Sequence, residues 1–125
     1  MTSNFMPRIK SYTTKETEKE IVNAILEFLL YKKIFCWRNQ STGLYDVRQQ
    51  IFRKLPKYAI NGVCDILGIL PDGRFLGIEV KTQKGVPSEN QLNFIKQIIA
   101  NNGVAFIARS IDETQEILRK YKVMV

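Results

Sequence analysis

Two strand-like runs, Val63–Leu70 and Arg74–Lys81, meet at Pro71-Asp72-Gly73, and this junction constrains the chain more than any other stretch. Pro pre-sets the first turn dihedral, Asp bonds back to the turn backbone, and Gly tolerates a positive φ. The two runs should therefore form an antiparallel hairpin. If Leu70 pairs with Arg74 across the turn, counting outward sets Asp65 directly opposite Glu79. Facing residues in such a pair have Cβ atoms about 4.5–5.5 Å apart. A one-residue slip would send the two to opposite sides of the sheet. Glu79 and Lys81 share a side because strand residues alternate, while Leu76, Ile78 and Val80 point the other way. The expected hairpin has one apolar side and one side that carries two carboxylates and an ammonium at its end.

An isolated Glu-x-Lys is ordinarily a solvated surface pair of little energetic weight. Here Asp65 interrupts Val63, Cys64, Ile66 and Leu67, and Glu79 follows Leu76, Gly77 and Ile78. Charges inside strands of that kind need a partner or a role. Two facing acids repel unless something positive lies between them, and a divalent cation does that. The 125-residue chain has no histidine. A metal would therefore be held by oxygen atoms, which favours a hard cation, Mg²⁺ or Mn²⁺. Cys36 and Cys64 sit in apolar runs and read as small buried hydrophobes.

Around the hairpin the chain alternates helix and strand. Apolar residues at Ile21, Val22, Ile25, Leu26, Phe28, Leu29 and Leu30 predict a helix from Thr14 to about Lys33, capped by Thr14 or Thr17. Of its first-turn acids, Glu18 projects from the stripe that should face the sheet, and Glu16 and Glu20 point more toward solvent. Ile34–Arg38 reads as a strand. Asn39–Asn61 is a long polar connection with a short element near Val47–Leu55. Ser88 begins a helix over about Glu89–Asn101, which a Gly at the C-cap ends at Asn102-Gly103. Val104–Ala108 is a strand, and a last helix runs from about Asp112 to Lys120. A helix between two strands implies a crossover and hence a mixed sheet. The length argues for a single domain over residues 1–125, with 1–13 loosely ordered.

Lys and Arg number 19 against 12 acids, a net charge of +7. A basic small domain attracts polyanions, although excess charge alone is weak evidence. No apolar run reaches the roughly 18 residues that span a bilayer, and the polar start lacks the apolar core of a secretory signal. The expected setting is intracellular, without a membrane partner.

Taken in order, Gly62-Val63-Cys64-Asp65-Ile66-Leu67-Gly68, Gly77-Ile78-Glu79-Val80-Lys81 and Ser88-Glu89-Asn90-Gln91 resemble the PD-(D/E)xK nuclease superfamily. Within it the chain looks like the stand-alone VRR-NUC nucleases of phages and bacteria, and it is similar to archaeal Holliday-junction resolvases. The resemblance runs from about Glu18 to Asp112. It implies an α/β fold with the restriction-endonuclease-like α-β-β-β-α-β core, a mixed sheet flanked by helices. It also implies a Mg²⁺- or Mn²⁺-dependent endonuclease acting on DNA, selective for branched structures such as four-way junctions or flaps, with no organic cofactor. Asp65, Glu79 and the Val80 backbone carbonyl would hold the metal, with Glu18 as a further ligand candidate. Lys81 would be the catalytic lysine, and Glu18 and Gln91 would complete the catalytic set. Arg38 and Asn39, with Gly43, would lie near the substrate phosphate. The superfamily's Pro before the Asp is absent; Cys64 stands there.

Some assignments stay open on the residues alone. Ser88-x-x-Gln91 is also a capping box, and Arg38 also reads as a strand-end surface charge. Arg48, Arg53, Lys54 and Lys57 of the connection, with Lys84, are candidates for phosphate contacts or a plain solvated basic surface. Cutting both strands of a duplex calls for two sites, so a homodimer is expected, formed by the apolar tail Tyr121–Val125 or an exposed helix face. The alternative is a nucleic-acid-binding module of the same fold without catalysis.

Overall fold

The computed structural model describes residues 16–40, 45–46, 51–52 and 56–125. The expectation for residues 1–13, the cap candidate Thr14, and Gly43, Arg48, Arg53 and Lys54 lie outside the described residues.

Helix α1, Glu18–Tyr31, starts where Thr17 and Glu20 exchange side-chain and backbone bonds in a full capping box. It leads into β1, Phe35–Arg38. Two short strands, β2 at Tyr45–Asp46 and β3 at Ile51–Phe52, pair antiparallel within the long connection. Then come β4, Ile66–Ile69, and β5, Phe75–Val80. Helix α2, Glu89–Ala100, strand β6, Val104–Ala108, and helix α3, Ile111–Lys120, complete the order.

The main sheet has the order β1-β4-β5-β6, antiparallel except for the β5–β6 pair. It is mixed as expected. The hairpin has the register that the turn implies: Ile66 faces Ile78 and Leu67 faces Gly77. Leu70 N–H donates to the Arg74 carbonyl at 2.9 Å and Gly73 N–H to the Leu70 carbonyl at 2.8 Å. Gly73 takes φ +93, the left-handed position that a three-residue hairpin loop assigns to glycine.

Helices α1 and α3 pack on one side of the sheet. Ile21, Val22, Ile25 and Leu29 of α1 and Leu118 of α3 meet Ile66, Leu76, Ile78, Val80, Val104 and Phe106 there. Helix α2 packs on the other side, where Ile95 and Ile98 meet Cys64 and Ala105. This corrects the picture of a hairpin with one apolar side. Both sides are apolar in the middle, and the charges stand only at one end. Ile25 has no exposed surface. Ile25→Ala should lower unfolding stability by about 2–5 kcal/mol, the usual effect of emptying a core site, read from thermal or denaturant unfolding.

One further expectation needs correction. Asn102, not Gly103, takes the left-handed position after α2, at φ +67, and Gly103 N–H then bonds the Ile98 carbonyl at 2.8 Å. Lys33 and Lys122 do the same after α1 and α3, at φ 64 and 67. In the tail after α3, Val123 is buried in the core and donates its N–H to the Leu118 carbonyl, while Met124 is exposed. Among the described residues, no helix is long and apolar enough to cross a membrane.

Candidate active site

Extending the two registers by one step places Asn39, Asp65, Glu79 and Ile107 in one row across the sheet, on the α2 side. The Asn39 N–H donates to the Asp65 carbonyl at 2.8 Å, which continues the β1–β4 pairing to that row. Asp65 Oδ2 accepts the Val80 N–H at 2.9 Å, so its carboxylate folds across the end of β5. The predicted juxtaposition of the two acids is therefore present.

Glu79 is only 1% exposed, and its Oε2 accepts a 2.7 Å hydrogen bond from Gln91 Nε2. Lys81 Nζ stands 3.6 Å from the same oxygen. Gln91 serves both roles left open by the sequence. Its Oε1 accepts the Ser88 N–H at 2.8 Å in the capping box, while its Nε2 holds Glu79. The helix cap thus sets the geometry of an amide that reaches the buried acid.

Burial pushes the Glu79 carboxyl up, to about 8 from an ordinary 4.5, with the Asp65 charge and an Asp65 hydrogen bond next in weight; Lys81 opposes the shift and Glu18 adds to it. Without a cation the Glu79 carboxyl therefore keeps its proton through neutral pH. Glu18 is exposed at the first position of α1 rather than packed toward the sheet, yet its charge reaches Glu79. The Cys64 thiol is raised to about 12 by burial and then by Glu79 and Asp65, which makes it an inert core atom, as its sequence context suggested.

Glu79 Oε1 is buried with no hydrogen-bond partner among the described residues. A partnerless carboxylate oxygen beside a second carboxylate suits a hard cation. No group of three or more Asp, Glu or Cys side chains among the described residues could hold a metal together. The protein would thus supply two carboxylates, and water, backbone or substrate oxygens would complete the shell. Asn39 Nδ2 is likewise buried and unpartnered, a spare donor on the same row.

Helix α2 covers this side of the sheet over β5 and β6, so the acids open at the end of the sheet, where Asp65 and Lys81 are half-buried. Arg38 is exposed at the end of β1, Lys57 is exposed in the turn before Gly62, and Lys84 is exposed just after Lys81.

Two contributors escaped the sequence reading. Arg109, just past β6, donates from Nη1 to the Thr82 carbonyl and, at 2.8 Å, to the Gly85 carbonyl. It ties down the loop that follows Lys81. No sequence signal points to it, because the parallel β5–β6 register is not locally encoded. Gly62 takes φ +81 against the first turn of α2. A Cβ there would lie 2.7 Å from the Gln91 nitrogen and closer still to the Asn90 carbonyl group. Its place before the strand was visible, but its fit against α2 was not. Gly62→Ala should destabilise the fold by about 2 kcal/mol or more and draw Gln91 off Glu79, seen as a lower Tm together with slower turnover.

Comparison with protein-family models, with curated proteins and with solved structures finds no match to this chain.

Proposed function

We propose that this protein is a metal-dependent endonuclease of the PD-(D/E)xK type, hydrolysing DNA phosphodiester bonds with Mg²⁺ or Mn²⁺. The observation that carries the reading is the convergence of Asp65, buried Glu79 and Lys81, with Glu79 Oε1 left without a partner among the described residues. The element order α1-β1-β4-β5-α2-β6 supports the restriction-endonuclease-like core, and the +7 charge suits a polyanionic substrate.

Asp65 and Glu79 would hold the cation, with the Val80 carbonyl and Glu18 as further oxygen donors. When bound, the cation would polarise the scissile phosphate and lower the pKa of a bound water. Gln91 keeps the Glu79 carboxylate from rotating. Lys81 stands where negative charge develops on the phosphate and would stabilise it. Asn39 borders the acids, Arg38 alternates to the other side of the sheet beside them, and exposed Lys57 and Lys84 would hold flanking phosphates, which positions the strand without reading sequence. Two protomers would be needed to cut both strands of a duplex. The tail, where Met124 is exposed, or an exposed helix face would form the dimer.

A panel of end-labelled linear and branched DNAs, incubated with Mg²⁺, with Mn²⁺ and with chelator, tests the reading. Cleavage of at least one substrate, abolished by chelator, is the expected result. Salt-sensitive DNA binding with no cleavage under either metal would instead identify a binding module of the same fold.

A further inference from the structure

The α2 side of the sheet is only half covered. Helix α2 lies over β5 and β6 and reaches β4 at Leu67, and no described helix lies over β1 on that side. Phe35 is 66% exposed, Trp37 39%, Ile69 43% and Phe75 38%. The registers arrange these residues in rows. Trp37, Leu67 and Gly77 form the row next to Asp65 and Glu79, and Phe35, Ile69 and Phe75 form the row beyond it. Alternate residues of a strand are roughly 6.7 Å apart, so an aromatic strip starts one row from the acids and leads away from them. The Phe35 and Trp37 rings lie 5.4 Å apart, tilted by 52°. Cys36 between them points into the core on the opposite side.

We propose that this strip is a stacking platform for unpaired bases of the DNA strand that enters the carboxylate site. The proposal rests on the nuclease reading and narrows its substrate to DNA with single-stranded nucleotides beside the cut. Two observations choose the occupant. The strip continues directly from the proposed phosphate site on the same side of the sheet. The protein is also cationic, with Lys32 and Lys33 just before β1, which complements a polyanion and opposes a second +7 copy. Aromatic faces on a basic strand bind unpaired bases with little regard to sequence, since every base has a π face. An intact duplex keeps its base faces stacked and offers none to Trp37.

Trp37 is the single tryptophan of the chain, so its emission reports on this strip alone. The test titrates the full chain in chelator with a short oligothymidylate and with a blunt duplex, and then compares cutting of a single-stranded flap with cutting of the duplex in Mg²⁺. Oligothymidylate should quench Trp37 and the duplex should not. Phe35→Ala should weaken oligothymidylate binding about 5- to 100-fold by anisotropy, the usual cost of losing one stacked base, and Phe35→Tyr should restore it. Quenching that depends on Phe35 supports the platform even if no DNA is cut, in which case only the nuclease reading falls. Metal-dependent cutting of flap and duplex alike, with Trp37 emission unmoved and Phe35→Ala indistinguishable from wild type, overturns the platform and leaves the nuclease. A concentration-dependent blue shift of Trp37 emission, with doubled mass in light scattering and no response to oligothymidylate, overturns it in favour of a second copy on this strip.

Discussion

Asp65→Ala and Glu79→Gln proteins are expected to cut DNA on the order of a thousandfold more slowly than wild type, with binding largely retained. A bound cation supplies several kcal/mol of charge stabilisation in the transition state, and each 1.36 kcal/mol is tenfold in rate. Both acids touch the same small volume: Asp65 Oδ2 is held by Val80 N–H and Glu79 Oε2 by Gln91 and Lys81. Loss of either removes one of the two carboxylates placed to hold the cation, which weakens the grip on a reluctantly dehydrated Mg²⁺. Lys81→Ala should cost roughly a hundredfold to a thousandfold, as removal of one charge-stabilising donor does. Glu79→Gln is the informative substitution because it keeps shape and removes only charge. Single-turnover cleavage of a labelled substrate measures the rate, and anisotropy of the same DNA measures binding. An Asp65→Ala protein that still cleaved in Mg²⁺ would end the site assignment.

The second large effect is on stability. Without metal, wild-type stability should fall relative to Glu79→Gln as pH rises from about 4.5 toward 8, by roughly 15–20 °C in Tm. The sign follows from the raised carboxyl. The folded state holds the Glu79 proton to about pH 8, whereas the unfolded chain releases it near its ordinary 4.5. The folded form therefore binds the proton more tightly, and that stabilisation is complete below pH 4.5 and gone above about 8. Comparison with Glu79→Gln isolates this group from exposed acids such as Asp72 and Glu20, whose shifts run downward. Mg²⁺ or Mn²⁺ should reverse the loss, since a cation replaces the Glu79 proton and its affinity should climb over the same pH range. Differential scanning fluorimetry of the two proteins at several pH values, with and without metal, reads all of this. A difference in Tm that stayed flat with pH would show that Glu79 ionises normally.

These two predictions describe one trade. Glu79 is a buried acid that weakens the metal-free fold at neutral pH, and Glu79→Gln should be the more stable protein there while losing activity. Charges that cost stability in the ground state and serve a site are a common source of this conflict.

Much of the site was legible from residue order. Pro71-Asp72-Gly73 sets the turn, the turn sets the register, and the period of two puts Asp65 opposite Glu79 and Lys81 on the same side. The helices followed from apolar spacing and from Thr17 and Ser88 as caps. These are local facts, written in neighbouring residues. What tertiary structure alone decided is how deeply the pair is buried and what touches it. Helix α2 closes over β5 and β6, which seals Glu79 and brings Gln91 onto its carboxylate. The parallel β5–β6 pairing brings Arg109 to the loop after Lys81. It also leaves Phe35 and Trp37 beyond the edge of the α2 cover. A crossover joins segments far apart in sequence, so its register carries no turn chemistry to read. Burial depends on which elements stack where, and that is settled only when the apolar surfaces of the whole chain are satisfied together.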